Sequence, residues 1–186
     1  GLNAYEAVDA VLSENLHGLD IDKRVTEITA FALAFTAWRF PGAGGFRQLP
    51  MLNIACSGLL VKASKETWQK FANGDHNMRI ALGTLHEEFK NAPTLGSLLD
   101  PAKSPAANIV KWEDLISVLT KALDMDRTDL DLEAGVIAQE LTKAAEIVSN
   151  KYAWIITNVP YLSRVKQNEI LREYCDEHHS LSKNDL

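Results

Sequence analysis

Apolar residues recur at helical spacing over residues 4–12 (Ala7, Val8, Val11, Leu12), and Ser13-Glu14-Asn15 breaks the pattern. Asn15-Leu16-His17-Gly18-Leu19-Asp20 then reads as a short strand ending in an acid. Asp22 caps a long apolar helix over residues 23–38, which is expected to bury Val25, Ile28, Phe31, Ala32 and Phe35. Phe40-Pro41-Gly42-Ala43-Gly44-Gly45 is loop, because proline and glycine supply turns and little to pack. Leu52-Asn53-Ile54-Ala55-Cys56 is a second strand, followed by Ser57-Gly58. From residue 62 to 150 the pattern is helical, with helices predicted over 78–89, 112–123 and 132–148. Pro93, Gly96, Pro101 and Pro105 punctuate it, and the acids Asp124, Asp126, Asp129, Asp131 and Glu133 form a solvated lead into the last of these helices. Tyr152-Ala153-Trp154-Ile155-Ile156-Thr157 is β-branched and aromatic, a third strand stopped by Asn158-Val159-Pro160-Tyr161. An amphipathic helix over 166–177 closes the pattern. Strands alternating with helices predict a parallel α/β sheet, here interrupted by a helical insertion.

Composition narrows the picture. The 186 residues, 46% apolar and 24% charged, suffice for one globular core. No apolar run reaches the roughly 20 residues of a membrane span. Nineteen basic against 25 acidic residues, net −6, give no bulk attraction to nucleic acid or to an anionic membrane. A nucleic-acid role therefore needs a local site or a partner domain. Two cysteines, Cys56 and Cys175, are too few for a disulfide framework, so a reducing, cytoplasmic setting is expected. The opening residues show no signal-peptide pattern, and both ends read as cuts in a longer chain.

Two strand ends carry candidate chemistry. Asp20 stands where, in doubly wound folds, an acid accepts hydrogen bonds from ribose hydroxyls, although an acid before a helix is also an ordinary cap. Asn158-Val159-Pro160-Tyr161 is more specific. Proline fixes the backbone, so the Val159 carbonyl and the Asn158 amide oxygen can form two acceptors for an exocyclic amino group. Tyr161 can stack on the attached ring, and the alternative is a turn with a core tyrosine.

Taken in order, these segments resemble the adenine-specific DNA methyltransferases of restriction–modification and phage-defence systems, whose hallmark is Asn-Pro-Pro-Tyr after a hydrophobic strand. Here that hallmark is Asn158-Val159-Pro160-Tyr161, Asn15 to Asp22 is similar to the ribose-binding strand, and residues 50–60 are similar to the next strand and its adenine-side loop. The resemblance implies a partial Rossmann-like, S-adenosylmethionine-dependent methyltransferase fold with a helical insertion. Residues 1–61 would be the cofactor-binding half, 62–150 the insertion, and 151–186 the tetrad strand and its following helix. It implies cofactor contacts from Asp20, Ile21, Cys56 and Ser57, and a catalytic tetrad of Asn158, Val159, Pro160 and Tyr161. The cofactor would be S-adenosylmethionine and the partner double-stranded DNA, reached through the parent protein, with no membrane. The family's Gly-rich loop is absent, its expected place preceding Gly1, so the fragment alone is expected to be inactive. Valine replaces the first proline, and Ser57-Gly58 stands where an acid or amide is expected. A methyltransferase acting on a protein glutamine or an RNA amino group is an alternative, as is a non-catalytic interaction module.

The remaining candidates are bland. Cys175, His178 and His179 have ligand-like spacing but lack a second pair, so a solvated helix end is expected and no metal is assigned. His17 reads as a packing residue, and Trp38, Trp68, Trp112 and Trp154 as core residues.

Overall fold

The computed structural model describes residues 1–123, 128–157 and 162–178, and the chain divides into two units, Gly1–Ser149 and Asn150–Leu186. In the first, α1 (Ala4–Ala10) opens on an Asn3–Glu6 capping box. It runs straight into a π-helical turn, Val11–Asn15, where the sequence predicts a break. β1 (His17–Asp20), α2 (Lys23–Arg39) and β2 (Asn53–Cys56) follow. The two strands pair in parallel, His17 opposite Asn53 through Asp20 opposite Cys56. A strand, crossover helix and parallel strand make an α/β unit. Among the described residues the sheet has these two strands only. The chain is otherwise mostly helical: α3 (Lys65–Lys70), α4 (His76–Phe89), α5 (Ala92–Leu95), α6 (Trp112–Leu123) and α7 (Asp129–Ser149).

The core sits in the helices. α6 buries Trp112, Leu115, Leu119 and Ala122 at three- and four-residue spacing. It packs on α7, whose buried side is mostly small: Ala134, Gly135, Ala138, Leu141, Thr142, Ala144 and Ala145. A Cβ on Gly135 would come within 2.6 Å of Leu123 Cδ2, so glycine lets the two helices approach there. Trp68, Phe71, Leu82 and Leu85 complete this core. Among the described residues no helix is long and apolar enough to cross a membrane.

α2 turns the other way from the expectation. Thr26 and Ala37 are buried, whereas Ile28 is 67% and Phe31 65% exposed, and Val25, Ala32 and Phe35 are exposed too. The helix is apolar on most of its circumference, so periodicity marks it as helical without choosing the covered side. Small residues allow the close approach that the large ones would prevent.

In the second unit, residues 151–157 form no strand. Trp154 is 90% and Ile156 99% exposed. A strand needs a neighbour to satisfy its main-chain groups, and β-rich composition cannot supply one. Trp154 is thus no core residue, unlike buried Trp68 and Trp112. α8 (Glu169–His178) buries Leu171 and Cys175, and Arg164 pairs with Asp176 at 2.6 Å. Cys175 is therefore packed rather than solvated, and among the described residues no group of metal-binding side chains forms.

Candidate functional site

The carboxyl ends of β1 and β2 lie side by side because the pairing is parallel and in register through Asp20 and Cys56. The Ser57 N–H extends the ladder by donating to the Asp20 carbonyl at 2.9 Å. Asp20, Ile21, Cys56 and Ser57, which come from two separated segments, thus meet at one edge. The Cys56 thiol donates to the Ile21 carbonyl at 3.5 Å. Gly58 packs so tightly there that a Cβ would stand 2.0 Å from the Ile21 oxygen. Only glycine fits that contact, which draws the loop after β2 against the loop after β1.

Asp20 holds that first loop. Its Oδ1 accepts the Asp22 N–H at 2.8 Å, and its Oδ2 has no hydrogen-bond partner among the described residues. Asp22 is occupied otherwise: it caps α2 through the Arg24 N–H at 2.9 Å and pairs with the Arg24 guanidinium. Those bonds hold the Asp22 carboxyl below its ordinary range. One acid is therefore committed to the helix, and the other keeps an acceptor one position before Ile21, a residue 48% exposed. A carboxylate oxygen with no partner among the described residues, at a strand end followed by a half-exposed aliphatic residue, suits a hydroxyl-bearing ligand. Burial raises the Cys56 thiol, the Gly58 main-chain hydrogen bond partly offsets this, and nearby Glu140, Asp20 and Asp22 add to it.

Asn158, Val159, Pro160 and Tyr161 lie outside the described residues, as does His179. His17 is half-buried at the start of β1. The sequence reading missed the role of Gly58, although a glycine directly after a strand is the signal of a close main-chain approach.

Over its whole length the chain is 23% identical to the adenine-specific methyltransferase BrxX of Escherichia coli O9:H4 (strain HS), across 211 aligned residues. The likeness is to methyltransferases. The adenine-specific methyltransferase PglX of Lacticaseibacillus casei (strain Zhang) matches the whole chain at the same 23% identity. The chain spans 17% and 15% of the length of these two curated relatives. No protein-family model matches it.

Proposed function

We propose that this chain is a portion of an S-adenosylmethionine-dependent DNA methyltransferase acting on N6 of adenine. The observation that carries the reading is the end of β1, where Asp20 Oδ2 has no hydrogen-bond partner among the described residues and the next residue, Ile21, is half-exposed. The full-length match to two proteins named adenine-specific methyltransferases supports it.

In this reading Asp20 Oδ2 accepts the ribose hydroxyls of the cofactor, and Ile21 packs against its adenine ring. Cys56 and Ser57 border the same edge, held by the Gly58 contact. S-adenosylmethionine, when bound, supplies the electrophilic methyl group. The target adenine leaves the duplex stack, as bases must before an enzyme can act on them. The Asn158 amide oxygen and the Val159 carbonyl accept the hydrogens of N6, which turns its lone pair out of the ring system and toward the methyl group. Pro160 fixes the turn, and Tyr161 stacks on the extruded base, worth on the order of 1–3 kcal/mol. Orientation of this kind supplies most of the acceleration. Contacts with double-stranded DNA come from the rest of a longer protein, because a net charge of −6 gives this portion no attraction of its own.

The test uses the full-length protein and a duplex with a fluorescent base analogue at the target adenine. Asn158→Ala should lower methyl transfer by about 100-fold or more with flipping intact, as loss of a contact made mainly in the transition state does. Tyr161→Ala should reduce both flipping and transfer. A folded Asn158→Ala protein that methylates adenine at the wild-type rate would refute the assignment, and transfer to glutamine peptides but not to DNA would move it to a protein substrate.

A further inference from the structure

Residues 147–168 carry Lys151, Arg164 and Lys166 and no acid, in a chain with 25 acidic residues and a net charge of −6. The tetrad positions therefore lie inside a locally cationic stretch. Just after them the chain makes a tight helical turn, Arg164–Lys166, whose main chain is tied down. The Ser163 carbonyl accepts the Lys166 N–H at 2.8 Å, and the Arg164 carbonyl accepts the Gln167 N–H at 3.2 Å. Arg172 of α8 donates to the Gln167 carbonyl at 2.9 Å and to the Val165 carbonyl at 3.4 Å. Buried Gln167 donates its side-chain amide to the Leu162 carbonyl at 3.3 Å. With the turn pinned in this way, the side chains of Ser163, Val165 and Lys166 are left to solvent. Arg164 is balanced by Asp176, whereas Lys166 has no ion pair among the described residues. The α8 acids Glu169, Glu173 and Glu177 recur every four residues and share a stripe of their own.

We propose that Lys166 binds a DNA phosphate beside the extruded adenine, on a turn held rigid for that contact. This deepens the proposed function and rests on its reading of Tyr161 as the residue that stacks on the base. Five residues of chain reach at most about 18 Å, so Lys166 stays near Tyr161 whatever the path between them. An extruded nucleotide remains bonded to its flanking phosphates, so a base held at Tyr161 brings them into the same neighbourhood. An ammonium on a flexible stem meets a phosphate as a point charge, and a turn that is already fixed loses little freedom on binding. The rest of a longer protein supplies the bulk of the affinity for DNA. This contact adds register at the reacting base, as phosphate contacts do.

The test uses the full-length protein. Duplexes of random sequence are scored for adenine methylation, and the best acceptor is titrated from about 50 to 200 mM NaCl. Lys166→Gln should weaken binding about fivefold at the low end and reduce the slope of log affinity against log salt by about one, the signature of one lost phosphate contact. Lys166→Arg should keep both, and Lys121→Gln, at another exposed lysine, should match wild type. Methyl transfer at saturating duplex should stay within about twofold, since the contact is made in the ground and transition states alike. The contact is refuted if Lys166→Gln keeps the wild-type slope while the wild type methylates, or if Lys121→Gln shifts the slope as much. A fall in the melting temperature of Lys166→Gln with an unchanged slope refutes it too, because another part of the longer protein then covers the turn. If no duplex accepts a methyl group from the wild type, the methyltransferase reading is overturned and the contact falls with it.

Discussion

The helices from α3 to α7 and the β1–α2–β2 unit are both rich in apolar residues, yet they use them in opposite ways. Trp68, Leu82, Leu85, Leu115, Leu119 and Leu141 are fully buried among one another. Along α2, the side chains of Ile28, Phe31 and Phe35 face outward, and Phe31 stacks on Phe35 with ring centroids 5.9 Å apart. The helical middle covers its own apolar surface, whereas the strand unit leaves an apolar face of α2 exposed. The candidate site stands at the end of the less self-sufficient region. The main core and the candidate site thus lie in different parts of the chain, which mutation can separate.

The largest effect is expected from Leu115→Ala, which empties a fully buried position between α6 and its neighbours. It should lower unfolding free energy by about 2–5 kcal/mol in urea titrations. Ile28→Ala in α2 should cost about 0.5 kcal/mol or less, since its side chain already faces water. Equal losses at both positions would break the contrast between the two regions.

Gly58→Ala is next. The added methyl cannot fit against the Ile21 carbonyl, so the loops must part at a cost of about 1–3 kcal/mol. Amide exchange should report opening at the ends of β1 and β2, with protection in α6 and α7 unchanged. A variant as stable as the parent would show that the contact is not needed to hold the edge.

The smallest effect concerns Glu146 on α7. Burial and the neighbouring Glu113 raise its carboxyl above the ordinary range, and Lys143 and His17 only partly offset this. A raised folded-state pKa means that the folded protein holds the proton longer, so stability falls as pH rises through the interval between the unfolded and folded values. Glu146→Gln should therefore be more stable than the parent above that interval, by less than ~1 kcal/mol, with the gain vanishing in acid. Melting temperatures across pH 3 to 8 check the sign, and a gain confined to acid would contradict it.

Much of this was legible in the chain. The Asp22 cap, the span of α2, both described strands and the 112–123 helix follow from capping and periodicity, because each depends on local spacing. The meeting of Asp20, Ile21, Cys56 and Ser57 was also accessible, since parallel strands in a crossover bring their carboxyl ends together. Other features depend on what lies opposite in space. The covered side of α2 could not be chosen when nearly every side is apolar. Residues 151–157 have strand composition, but pairing needs a partner that composition does not specify. The continuation of α1 into a π-helical turn through Ser13 and Glu14 also escaped periodicity, which reads polar residues as a break.

The central claim is that Asp20 at the end of β1 binds the ribose of S-adenosylmethionine. Calorimetric titration of S-adenosylmethionine into the full-length protein, wild type against Asp20→Asn, tests it most directly. Asparagine retains an oxygen for the Asp22 N–H, so the loop and the melting temperature should be preserved. With the charge gone from the acceptor, affinity should fall about tenfold or more. A folded Asp20→Asn protein that binds the cofactor as tightly as wild type would contradict the account.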